Sequence, residues 1–143
     1  CQVAKETIQN GKILAIDIKE MEEIKNVNFL KCDFLDEKSK YLISQFFSSK
    51  IDIVVSDMAA NTTGNNSLDC IRTNSLCADV INFSRSIIKK NGTLVSKLFM
   101  GEDFLEVKDL AKKYFKNVDF FKPESSRDES KETYIHCKKL KTL

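Results

Sequence analysis

The stretch Ile51-Asp52-Ile53-Val54-Val55-Ser56-Asp57-Met58 decides the fold class. It is a largely apolar run with β-branched residues, and it gives way to the turn-forming segment AANTTGNNS at 59–67. A run of this kind suits a strand at the centre of a parallel sheet, covered on both faces. In open α/β sheets ligands gather beyond the carboxyl ends of the strands, which puts Asp57 on the working edge. A plainer reading, in which Asp57 only caps the following loop or helix, stays open on this stretch alone.

Working upstream, KILAIDI at 12–18 reads as a strand ending at Asp17, with the charged loop IKEMEEIKN after it. The opening CQVAKETIQNG reads as the end of a helix closed by Asn10-Gly11. Val27 to Cys32 forms the next strand, ending in Asp33. The segment 36–50 has helical spacing, because Leu42 and Phe46 lie four apart, as do Ile43 and Phe47, with Asp36 as its cap.

Downstream, a long helix is expected from about Asp69 to Lys90 on a stripe of Leu76, Val80, Phe83 and Ile87, closed by Asn91-Gly92. TLVSKLF at 93–99 is a strand with Lys97 near its carboxyl end, and Gly101 breaks it. A helix over 102–115 follows, with Phe104, Val107, Ala111 and Tyr114 on one face. NVDFFKP at 117–123 and ETYIHCKKL at 132–140 are the last strands. The loop between them is too short for a parallel crossover, so they are expected to be antiparallel neighbours. The whole reads as one α/β domain over 1–143, a mostly parallel sheet whose last strand is antiparallel.

Composition narrows the function classes. The charge is nearly balanced, 23 Lys and Arg against 21 Asp and Glu, which excludes a basic tail or an acidic solvating domain but allows a local nucleic-acid patch. Cys1, Cys32, Cys70, Cys77 and Cys137 form no CxxC pair, and His136 is the single histidine, so no zinc set is indicated. Packed, reduced thiols in a cytoplasmic setting are the expectation. No run approaches the roughly 20 apolar residues that span a bilayer, so no membrane role is expected.

Two constellations carry the chemistry. Asp17, Asp33 and Asp57 stand at or just past the ends of three successive strands. In nucleotide-binding sheets an acid at the second strand holds ribose hydroxyls about 20 residues after a glycine-rich turn. Counting back from Asp17 lands before Cys1, so the expected glycine loop lies upstream and the fold reads as N-terminally incomplete. Asp33 either accepts from an adenine amino group or caps the next helix. Asp57, Lys97 and Glu132 form the second set: an amine between two carboxylates orients a hydroxyl and stabilises developing negative charge. A plain ion pair remains the competing account of that lysine. A nicotinamide dehydrogenase would also fit the bare sheet, but it leaves the Asp-Lys-Glu placement unexplained.

The runs SDMAANTTG (Ser56 to Gly64), GTLVSKLFMGEDF (Gly92 to Phe104) and KPESSRDESKETY (Lys122 to Tyr134) resemble those of the FtsJ-type ribose 2′-O-methyltransferases. The resemblance covers nearly the whole chain and implies the Rossmann-like S-adenosylmethionine-dependent methyltransferase fold. It implies a Lys-Asp-Lys-Glu catalytic set in which Asp57, Lys97 and Glu132 match the last three members; the first lysine has no position here. Asp17, Asp33, Asp57 and Met58 would line S-adenosylmethionine, and no metal is required. The implied reaction is 2′-O-methylation of a uridine ribose in large-subunit (23S) ribosomal RNA. The implied partner is the large ribosomal subunit, and a cytoplasmic monomer is expected. Lys122, Ser125, Ser126, Arg127 and Lys131 are the implied RNA contacts. No patterned aromatic platform is visible, so recognition by RNA shape is expected. Ala60 stands where the family usually has proline, which would loosen that loop. The alternatives are a methyltransferase acting on transfer RNA or an mRNA cap, and a catalytically inactive RNA-binding member.

Overall fold

Alternating strands and helices form as the apolar pattern predicts, in a computed structural model that describes residues 1–8, 10–124 and 130–142. Of the candidate RNA contacts, Ser125, Ser126 and Arg127 lie outside the described residues. The chain divides into two units, Cys1–Phe46 and Phe47–Leu143.

The first unit holds α1 (Gln2–Thr7), β1 (Leu14–Asp17), β2 (Asn28–Lys31) and α2 (Glu37–Phe46). β1 and β2 pair in parallel, from Leu14 opposite Asn28 to Asp17 opposite Lys31. Their ends are tied by Asn28 N–H to the Ile13 carbonyl at 2.9 Å and Cys32 N–H to the Asp17 carbonyl at 3.0 Å. α1 stops earlier than Asn10-Gly11, because Ile8 is already extended. In α2, Ser39 and Ile43 turn inward while Leu42 stays exposed.

The second unit holds β3 (Ile51–Ser56), α3 (Asn66–Ile87), β4 (Ile88–Phe99), α4 (Phe104–Tyr114), β5 (Phe115–Phe121) and β6 (Glu132–Leu140). Its sheet runs β3-β4-β6-β5. β3 and β4 are parallel, and β6 is antiparallel to both β4 and β5. β6 is therefore the one reversed strand, as expected of the last. β3 is not a central strand covered on both faces: it pairs with β4 alone among the described residues, and Ile53 and Val55 are 55% and 70% exposed.

Asn91-Gly92 does not close α3. The helix passes directly into β4 at Ile88, and both residues lie within the strand. A Cβ on Gly92 would meet the Asp52 carbonyl oxygen at 2.9 Å, so the glycine serves a close backbone approach where the β3–β4 register shifts. Asn65 makes the N-cap of α3, its side chain accepting from Ser67 N–H at 3.1 Å and Leu68 N–H at 3.2 Å.

The buried face of α3 is Cys70, Thr73, Asn74, Cys77, Val80, Ile81 and Ser84 rather than the predicted stripe, of which Val80 alone is fully buried. It packs on one side of the sheet with Leu94, Leu98, Ile135 and Cys137, beside Val107 and Ala111 of α4. Small polar and thiol side chains let this helix lie close to β4. Burial pushes the Cys77 thiol up to about 11 and the Cys137 thiol up to about 12, the latter also by the charge of Cys77. Both folded values lie above the ordinary 9.0, so the stabilisation from keeping these thiols neutral is complete below about pH 9. It is lost as pH rises through the folded values, at up to about 1.4 kcal/mol per pH unit for each thiol. Urea-unfolding free energies measured from pH 7 to 10.5 should fall above pH 9, and the fall should be shallower in Cys137→Ala. A parallel decline in both proteins would rule out that thiol as a source.

Candidate active site

β4 turns the half-buried Thr93, Val95, Lys97 and Phe99 to the face opposite α3, because strand side chains alternate. β6 places Glu132, Tyr134 and His136 on that same face, with Lys97 opposite Tyr134 and Phe99 opposite Glu132. Lys97 Nζ lies 3.5 Å from Glu132 Oε2, with side chains 17% and 32% exposed. The other carboxylate oxygen, Oε1, accepts from the Tyr134 hydroxyl at 3.4 Å. Partial desolvation strengthens such a pair beyond an exposed surface contact.

Asp57 follows the last β3 residue. Ser56 pairs with Ser96, so Asp57 and Lys97 occupy the next positions on parallel neighbours. Burial raises the Tyr134 hydroxyl above its ordinary value of 10.0, and the charges of Glu132 and Asp57 raise it further. The charges of both carboxylates thus bear on the same hydroxyl. The tyrosine went unnoticed in the sequence. Its position two residues beyond Glu132 is the signal that could have found it, since a period of two shares a face.

The carboxyl end of β4 is clamped from below. Buried Asn74 accepts from Phe99 N–H at 2.7 Å and donates to the Phe99 carbonyl at 3.0 Å and Asp103 Oδ1 at 2.8 Å. The Met100 N–H donates to the Lys131 carbonyl at 2.8 Å. These bonds fix the backbone two residues past Lys97.

The loop after β3 is tethered as well. Asp69 accepts from Thr63 N–H at 2.9 Å and Thr63 Oγ1 at 2.8 Å, contacts that hold its carboxyl below the ordinary value. The Ala60 N–H donates to Thr73 Oγ1 at 3.2 Å. Proline would lack that donor, so alanine at 60 does not leave the loop untied.

Asp17 and Asp33 belong to the first unit, at or just beyond the ends of paired parallel strands. Each uses Oδ1 locally, Asp17 for Lys19 N–H at 2.8 Å and Asp33 for Leu35 N–H at 2.9 Å. Both carboxylates are nevertheless exposed, and such acceptors at parallel strand ends fit nucleoside hydroxyl and amino groups. Asp36, expected as the α2 cap, contributes its carbonyl to Lys40 N–H at 3.1 Å. Met58 N–H donates to Ser56 Oγ at 3.4 Å. Lys122 and Lys131 are exposed on either side of the 124–130 segment. No helix among the described residues is long and apolar enough to cross a membrane.

Comparison with known proteins shows the family and the fold. A family profile described as FtsJ-like methyltransferase matches residues 1–140. The chain is 48% identical over 140 residues to the ribosomal RNA large subunit methyltransferase E of Pelagibacter ubique, covering 98% of this chain and 69% of the relative. It is 43% identical over 132 residues to the protein of the same name from Rickettsia akari, covering 92% of this chain and 58% of the relative. The chain thus spans 58% to 69% of these relatives' lengths. A crystal structure of a ribosomal RNA methyltransferase from Plasmodium falciparum superposes with a TM-score of 0.86 at 29% identity, over 98% of this chain and 79% of that one. The fold is the α/β methyltransferase fold, and the chain belongs to the FtsJ-like methyltransferase family.

Proposed function

We propose that this chain takes part in S-adenosylmethionine-dependent 2′-O-methylation of a uridine ribose in large-subunit ribosomal RNA. The Lys97–Glu132 pair at 3.5 Å, at the carboxyl end of β4, is the observation that carries the reading. The two units are taken as parts of one methyltransferase domain, which the family match over 1–140 supports.

S-adenosylmethionine supplies, when bound, a methyl carbon made reactive by its sulfonium. Asp17 would accept from its ribose hydroxyls and Asp33 from its adenine amino group, and Asp57 and Met58 are the further cofactor contacts that the family resemblance implies. Lys97, as an ammonium, stabilises negative charge developing on the acceptor 2′-oxygen. Glu132 would hold that ammonium, Tyr134 would hold Glu132, and Asp57 would steer the acceptor hydroxyl and take up its proton for release to solvent as the methyl carbon passes from the sulfonium to that oxygen. Lys122, Ser125, Ser126, Arg127 and Lys131 are the proposed phosphate and ribose contacts. Alignment of acceptor and donor is the main protein contribution.

The test is methyl transfer from labelled S-adenosylmethionine by the full-length protein to large ribosomal subunits, isolated 23S RNA, transfer RNA and capped RNA. The expected product is 2′-O-methyluridine in the large-subunit RNA. Label only on transfer RNA or a cap would reassign the substrate. No label on any RNA, with cofactor bound, would favour a non-catalytic RNA-binding member.

A further inference from the structure

Three strands bring a row of side chains across the face of the second sheet opposite α3. Lys97 on β4 is the register partner of Tyr134 on β6, and Tyr134 is the register partner of Phe121 on β5. With strands about 4.8 Å apart, Phe121 begins only about 10 Å from Lys97 along the row. The rings of Phe121 and Tyr134 are stacked, with centroids 5.5 Å apart and planes at 17°. Phe120, the preceding residue, alternates to the other side and packs on Phe104 of α4 at 4.7 Å. Phe121 is thus not required to fill the core, and it remains 46% exposed.

Its backbone is tied to β6. The buried Thr133 hydroxyl donates to the Phe121 carbonyl at 2.9 Å, tying the end of β5 to β6. Exposed Lys122 follows it in the chain, and exposed Lys131 lies just before Glu132. An aromatic face fixed beside a catalytic row and bordered by cations matches the recognition of an unstacked nucleotide: ring on ring, phosphate on ammonium.

We propose that the Phe121–Tyr134 stack is a base platform, on which a base adjoining the methyl-accepting nucleotide packs against Phe121. The sequence showed no patterned aromatic platform because the two rings come from different strands and meet only through the β5–β6 register. The proposal rests on the RNA reading above and deepens it.

The experiment compares wild type, Phe121→Ala, Phe121→Leu and Phe121→Trp in the full-length protein. It measures RNA KM, kcat, cofactor affinity, and quenching of 2-aminopurine placed beside the acceptor uridine in a 23S fragment. Phe121→Ala should raise the RNA KM roughly 5- to 150-fold and abolish the quenching, with cofactor affinity unchanged. Phe121→Leu, which retains apolar bulk, should behave like alanine, and Phe121→Trp should restore both readouts. Equal activity and quenching in wild type and Phe121→Ala, or full rescue by leucine, would overturn the platform while leaving the methyltransferase reading intact. Absence of RNA methylation in wild type would instead remove the reading on which it rests.

Discussion

Replacing Lys97 by alanine is expected to lower RNA methyl transfer by about 10²–10³-fold, the loss typical of removing one preorganised charge from a developing oxyanion. The loss should appear in kcat, because the ammonium acts on charge that grows only as the reaction proceeds. Cofactor affinity should be nearly unchanged. Glu132→Gln keeps the Tyr134 contact but weakens the hold on Lys97, and so should cost less than the lysine substitution. Single-turnover methylation with labelled cofactor, alongside circular dichroism to verify folding, measures these effects. An alanine variant with near wild-type kcat would reduce Lys97 and Glu132 to the plain ion pair that the sequence left open.

Asn74→Ala should destabilise the second unit by about 2–4 kcal/mol. The fully buried side chain satisfies the N–H and carbonyl of Phe99 and one oxygen of Asp103, all near the end of β4. Leaving a buried polar group unpaired costs about 1–3 kcal/mol, and partial relaxation keeps the sum below simple addition. Urea denaturation measures the loss as a lower midpoint at constant slope. Asn74→Asp preserves the acceptor for Phe99 N–H but offers no donors and faces Asp103 with like charge, so it should not rescue. Because Phe99 lies opposite Glu132, the alanine variant should also lose kcat well below its unfolding temperature. Unchanged stability would mean that the backbone of Phe99 is held by the β4–β6 ladder alone.

The alternation of elements, the antiparallel β6 and the strand-end placement of Asp17, Asp57, Lys97 and Glu132 were readable from the chain itself. They depend on local properties: β-branched runs, turn residues and a period of two or 3.6. The resemblance in the three quoted runs supplied the expected roles. Tertiary structure decided the remainder. α3 buries Cys70, Thr73, Asn74, Cys77 and Ser84, whose inward placement is invisible to a search for apolar stripes, because a polar side chain is accepted in a core only when a partner elsewhere in the fold satisfies it or close packing requires its size. Asn74 finds such partners in Phe99 and Asp103. Gly92, read as a helix stop, is a strand residue pressed against Asp52 of β3. The row from Lys97 through Tyr134 to Phe121 exists only through registers between β4, β6 and β5. Sequence determined which residues reach the ends of strands, since that is set within each strand. Which of them meet was decided by pairing between segments far apart in the chain, where a shift of one residue would turn every side chain to the other face.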